Sequence, residues 1–165
     1  MSKVITKEAS DLVGVELDPF VVEVDRSSVR RYASAIRFPQ KPGPLHYDEA
    51  YAAKSKWGGI IAPPSYSTCF AWLGPVLEKV NPTMGKYRVG LNGGQEYEYF
   101  APVRPGDTLT ARPKLAALQE KPRDDGGVML VMSLQADFQN QRGEQVLTAR
   151  QTLLRIYGPE NLQGS

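Results

Sequence analysis

At Val89 the hydrophobic period of this 165-residue chain changes, and that change limits the folds open to it. Before Val89, apolar residues recur at helical spacing in short segments broken by Pro and Gly; after it, alternating and β-rich runs take over. Glu96-Tyr97-Glu98-Tyr99 alternates, Pro105-Gly106 turns the chain, and Thr108 to Leu118 reads as a strand. Arg123-Asp124-Asp125-Gly126-Gly127 is a turn or loop. The apolar run Val128-Met129-Leu130-Val131-Met132 suits a strand buried on both faces. After a turn at Asn140-Gln141-Arg142-Gly143, Gln145 to Tyr157 supplies a final long strand. Helices followed by a run of antiparallel strands predict an α+β fold with helices on one face of a sheet.

The first half supplies the helices. Phe20 to Val24 is β-branched and apolar, and Asp25 then caps a segment with Val29, Tyr32, Ala33 and Ile36 on one helical face. Pro39, Pro42, Gly43 and Pro44 forbid continuation and predict an extended loop. Asp48 to Lys54 forms a second short helix with acids at its positive end. Ser65 is then read as the N-cap of a central buried helix that places Tyr66, Cys69, Phe70 and Leu73 on its apolar face and ends at Gly74-Pro75. On that face Cys69 is expected to be packing rather than a reactive thiol.

Length and charge narrow the rest. The chain matches one domain, assigned to residues 1–157, with residues 158–165 expected as a frayed C-terminal tail. Twenty Lys and Arg against 18 Asp and Glu give a net charge of +2, too balanced to imply nucleic acid or a membrane surface as partner. The single cysteine forms no intramolecular disulfide and fits a reducing cytoplasm, and no metal motif or other cofactor fingerprint is present. Neither a signal segment nor an apolar run of membrane-spanning length is found, so a soluble cytoplasmic protein is expected.

Chemistry is sought first at the only histidine, His46, between a Pro/Gly-rich loop and a short helix. Imidazole titrates near neutrality, which makes His46 a candidate general base; the plainer alternative is a surface or capping residue. Two short segments are further candidates. Asn92-Gly93-Gly94 offers amides open to close approach by a ligand, or else marks a strand bulge. Ala62-Pro63-Pro64-Ser65 precedes the expected central helix, whose first amides would stabilise a developing negative charge on a ligand, or simply be capped. Tyr47, Tyr51, Trp57, Tyr97 and Tyr99 could line a substrate slot or serve as core and interface anchors. Lys54, Lys56, Lys86, Arg88 and Arg104 are candidates for contacts with an anionic ligand, or solvated surface.

Pro44-Leu45-His46, followed by five residues and Ala52, resembles the end of the hydratase motif of the MaoC-like, or R-specific enoyl-CoA hydratase, family. Ile61-Ala62-Pro63-Pro64-Ser65-Tyr66, Asn92 to Phe100 and Pro102-Val103-Arg104-Pro105-Gly106-Asp107-Thr108-Leu109 extend the likeness to its N-terminal FAS1-type dehydratase branch, over roughly residues 15 to 157. The resemblance implies a single hot-dog fold, a curved antiparallel sheet wrapped around a central helix. It also implies an acyl-CoA or acyl-carrier-protein thioester as ligand, no cofactor, and a homo- or hetero-oligomer with another hot-dog subunit.

One departure bears on activity. Competent members read Asp-x-Asn-Pro-Leu-His, whereas the corresponding positions here are Lys41 and Gly43. A protonated lysine cannot accept the proton that the aspartate would share with histidine. The resemblance therefore implies a subunit of a (3R)-hydroxyacyl-thioester dehydratase or enoyl-CoA hydratase that shapes the acyl tunnel while a homologous partner carries the complete Asp/His pair. Of the family's catalytic pair it carries over only His46; Ala62, Pro63, Ser65, Asn92, Gly93 and Gly94 are expected as substrate-binding from their amide geometry. Two alternatives stay open: a self-sufficient hydratase using His46 with Asp48 or Glu49, and a non-catalytic thioester-binding scaffold.

Overall fold

The computed structural model describes residues 4–37, 40–41 and 43–162. Pro39, Pro42 and the last three residues of the expected tail lie outside them. A short helix not expected from the sequence, α1 (Lys7–Asp11), is capped by Thr6, whose hydroxyl accepts the Ala9 N–H. Strand β1 (Phe20–Glu23) leads into α2 (Arg26–Ala35), whose Asp25 cap accepts the Ser28 N–H at 2.7 Å and whose Val29 and Ala33 are buried. Helix α3 (Glu49–Lys54) is capped by Asp48, which accepts the Tyr51 N–H at 3.0 Å. These caps and faces agree with the sequence pattern.

The expected central helix is corrected. Pro64–Cys69 is a 3-10 segment with no side-chain cap, and the α-helix α4 (Gly74–Val80) begins at the Gly-Pro pair expected to end it. The cause lies at the carbonyls. Tyr99 Oη bonds to the Pro64 carbonyl, while Tyr32 Oη and Thr68 Oγ1 both donate to the Ser65 carbonyl at 2.8 Å. An α-helix would need those carbonyls for the amides four residues on, so tertiary and local hydroxyls compete with it. Pro75 is tolerated in the first turn of α4 because amides there have no intrahelical acceptor. Cys69 is exposed rather than packed.

One antiparallel sheet follows, from β2 (Val89–Tyr99), β3 (Thr108–Pro122), β4 (Val128–Gln139) and β5 (Gln145–Tyr157), in the order β1-β3-β4-β5-β2. Strand β4 alternates buried and half-buried residues along its length, so it is buried on one face and not on both. Its Met129 and Val131 point to the outer face, an apolar pair whose pleat the uninterrupted run conceals. The inner face carries Leu130, Met132, Leu134 and Phe138, which pack with Leu109, Leu115, Leu147 and Tyr157 against Val29, Leu73, Val76 and Val80. Phe138 meets Phe20 and Phe70 edge-on at 6.0 and 5.6 Å between ring centres.

Strand β2 crosses to the far edge beside β5, and every residue in it except half-buried Tyr97 is exposed. Residues 158–162, expected as frayed, contain the turn Pro159–Asn161, and Glu160 pairs with Arg88 at 2.8 Å. Among the described residues, no helix is long and apolar enough to cross a membrane.

Candidate functional site

His46 closes a single 3-10 turn, Pro44–His46, which Pro44 starts with its preset φ. The His46 N–H donates to the Gly43 carbonyl at 3.0 Å, and the Asp48 N–H to that of Pro44 at 2.8 Å. The half-buried imidazole points its Nδ1 at the Ile61 carbonyl, 2.8 Å away. A carbonyl oxygen only accepts, so Nδ1 carries the proton and Nε2 is the basic nitrogen of the neutral ring. Nε2 borders Gly43: a β-carbon there would stand 4.0 Å from it. That is the position of the asparagine in the resembling motif.

The carboxylates adjacent in sequence are committed elsewhere. Asp48 caps α3, and exposed Glu49 pairs with Arg26. Lys41 is exposed and shares a hollow of about 320 Å³ with Arg30, Ser34 and Tyr47. Among the described residues no group of three His, Cys, Asp or Glu side chains could hold a metal ion.

Ile61 connects His46 to a second feature, an apolar cleft of about 240 Å³ between the stretch 57–64 and the stretch 99–103. The stretches are tied together by the Ala62 N–H, which donates to the Val103 carbonyl at 2.8 Å, and by Arg104, whose guanidinium donates to the Trp57 carbonyl at 2.7 Å. Arg104 is steadied in turn, since its backbone N–H donates to buried Asp107 at 2.8 Å. Trp57, Tyr99 and exposed Phe100 supply aromatic walls. Tyr99 Oη also lies 2.6 Å from Oγ of fully enclosed Ser67. Burial raises the Tyr99 phenol above its ordinary pKa, opposed by the hydrogen bond with Ser67, and keeps it a neutral hydroxyl.

The expected site residues divide between three places. Ala62 and Pro63 line the cleft, but the Ala62 amide is taken by Val103, and Pro63 and Pro64 have none to offer. Ser65 is exposed and outside the cleft lining. Asn92, Gly93 and Gly94 form a bulge on β2: pairing with β5 skips Gly93, and Asn92 Oδ1 accepts the Gly94 N–H at 3.1 Å. A β-carbon at Gly93 would press on the Thr152 carbonyl at 3.2 Å, and Gly94 has φ +151°. The bulge by itself explains both glycines.

Of the aromatic residues, Trp57 and Tyr99 line the cleft, Tyr47 lines the Lys41 hollow, Tyr97 packs against the core and Tyr51 is exposed. Of the basic residues, Arg104 braces the loop, Arg88 pairs with Glu160, and the Lys56 ammonium sits 4.7 Å from the centre of the Trp57 ring. Sequence reasoning missed the Ile61 carbonyl, Ser67 and Phe100. No residue-type signal marks a backbone carbonyl as the partner of a particular histidine.

Comparisons with known proteins agree with this fold. The family model of the FAS1-like dehydratase domain region matches residues 11–149. A UPF0336 protein of Streptomyces coelicolor is 30% identical over 142 residues, covering 84% of this chain and 88% of that protein. Among solved structures, the MaoC-like dehydratase from Rhodospirillum rubrum matches with a TM-score of 0.61 at 25% identity, over 91% of this chain and 97% of its own. The HadBC (3R-hydroxyacyl-ACP dehydratase) complex from Mycobacterium tuberculosis shares the fold, with a TM-score of 0.64 at 24% identity over 87% of this chain and 97% of that one. The curved sheet with its helical segment is thus a hot-dog fold, and the chain belongs to the FAS1-like dehydratase domain family, among the MaoC-like dehydratases and hydratases.

Proposed function

We propose that this chain is one subunit of a (3R)-hydroxyacyl-thioester dehydratase or enoyl-CoA hydratase, and that it acts with a second hot-dog chain carrying a complete Asp/His pair. The observation that carries this reading is the environment of His46. Its ring is oriented as a base by the Ile61 carbonyl, yet Asp48 is used as a cap, Glu49 as an ion-pair partner, and Lys41 stands where the family has its acid. Reversible dehydration needs one group to remove the proton alpha to the thioester and one to protonate the departing hydroxyl. In this subunit the apolar cleft beside Ile61 receives the acyl chain, and the partner supplies the acid/base pair.

The far edge of the sheet supports a partner. The eleven-residue strand β2 has a paired neighbour on one side only among the described residues, and Val89, Leu91 and Phe100 on or beside it are large, apolar and exposed. An open edge of this length invites pairing with another sheet. The HadBC structure is itself a complex of dehydratase subunits. The test is to purify the chain alone and together with a co-encoded hot-dog protein, then assay hydration of crotonyl-CoA and longer enoyl-CoA substrates. Turnover is expected from the complex only. Robust turnover by the lone chain would overturn the division of labour.

A further inference from the structure

We propose that the outer face of the sheet joins two copies of this chain, face to face about a two-fold axis running along the strands. Cross-strand partners point to the same side of a sheet, so the face can be read in rows. At one end Met129, Ile156 and Val89 share a row, and Val131, Leu154 and Leu91 share the next. All are half-buried or exposed, Val89 at 42% and Leu91 at 50%. A row of small side chains follows, Ala117, Ser133 and Thr152 with Gly94. The last two rows carry charge. One runs Lys114, Gln135, Arg150, Glu96, and the other Arg112, Asp137, Thr148, Glu98.

The charges select a second copy as the occupant. The bases stand on β3 and the acids on β2, at the same levels but on opposite margins of the face. Among the described residues Arg112 and Lys114 make no ion pair, although Glu16 bridges to Lys114 from the chain ahead of β1. Glu96 and Glu98 share Arg150, which leaves the β2 margin with one negative charge in excess. An axis between β4 and β5 lays β3 of one copy over β2 of the other and keeps each row over itself. Lys114 then meets Glu96 of the second copy and Arg112 meets its Glu98, and by symmetry each contact occurs twice. Val131 falls over Leu154 and Met129 over Ile156. Stacked sheets lie about 10 Å apart, and curved ones separate toward their margins, where this face carries its long side chains. The apolar rows supply the burial, while the charged margins fix the orientation, because like charges oppose any other stacking. The backbone edge of β2 lies in the plane of the sheet and stays open to the hot-dog partner proposed above. The complete assembly then holds two copies of this chain and two partners.

The test is analytical ultracentrifugation of the full chain, alone and with its partner. Arg112→Glu with Lys114→Glu sets acids against acids, and Glu96→Lys with Glu98→Lys sets bases against bases. Each pair of substitutions is expected to weaken self-association about a hundredfold. Mixed in equal amounts, the two variants regain opposite charges at both margins and should associate like wild type, which also shows that both fold. A dimer joined through the β2 edge behaves differently, because Arg112 and Lys114 stand three strands from that edge. Self-association that survives Arg112→Glu with Lys114→Glu, or variants that stay apart when mixed, would overturn the proposal. So would a lone chain that is monomeric and a complex that holds a single copy. Zero-length cross-linking of isotopically distinct copies should join Lys114 of one to Glu96 of the other. Within one chain these residues are three strand spacings, about 14 Å, apart and cannot be joined. A cross-link from Lys114 to the partner chain instead would assign the face to a different occupant and overturn the self-stacking.

Discussion

Gly43 and His46 face each other across one 3-10 turn, with a β-carbon at position 43 falling 3.6 Å from Cδ2 and 4.0 Å from Nε2 of the imidazole. These are ordinary contact distances, and Gly43 has φ −62° and ψ 135°, which any residue adopts. An asparagine therefore fits at position 43 without strain and starts beside the basic nitrogen. Lys41→Asp with Gly43→Asn should give the lone chain measurable crotonyl-CoA hydration, a rise of about 10² to 10⁴-fold. Gly43→Asn alone should give none. Steady-state assays of the three proteins decide it, and an inactive double variant that folds normally would show that position 41 does not converge on His46.

Within the two-subunit complex, His46→Ala should lower turnover by less than about tenfold, because the acid/base work is assigned to the partner. A loss of about 10² to 10⁴-fold, with binding of the complex intact, would instead make His46 the catalyst.

Tyr99→Phe tests the clamp on the segment after the cleft. It removes the hydroxyl bonded to the Pro64 carbonyl and leaves Ser67 Oγ, in a residue only 1% exposed, without its 2.6 Å partner. An unpaired buried polar group costs about 1–3 kcal/mol. For a domain of this size the expected fall in Tm is about 2–4 °C per kcal/mol, read by thermal unfolding. Acyl-chain affinity should fall as well, since Tyr99 walls the cleft.

Asp25 gives a pH signature. The Ser27 hydroxyl, with the Ser28 backbone N–H, lowers its carboxyl from the ordinary carboxylate range to about 2. A folded pKa below the unfolded one means that the ionised cap stabilises α2 fully above the ordinary carboxylate range, and that this stability is lost as pH falls toward 2. Asp25→Ala should therefore lower Tm at pH 7, and its difference from wild type should shrink as pH falls from about 5 toward 2. A difference that does not change with pH would remove the carboxylate from the explanation.

Local chemistry made several features legible in the sequence. Asp25 and Asp48 were readable as caps because one side chain and an amide three residues later suffice for a cap. The sheet was readable from the period change at Val89, and His46 from being the only imidazole. The strand ends, at Pro122 and Gln139, ran beyond the apolar runs because pairing with neighbours, not hydrophobicity, sets where a ladder stops. Other features were decided only by the tertiary structure. Ser65 to Leu73 has a helical pattern, but hydroxyls from Tyr32 and Tyr99, distant in sequence, take the carbonyls that an α-helix would use. The proton on Nδ1 of His46 is fixed by a carbonyl 15 residues away, and the commitment of Glu49 by an arginine 23 residues away. Sequence determines which groups a segment can offer; only the folded chain determines which partner reaches each of them first.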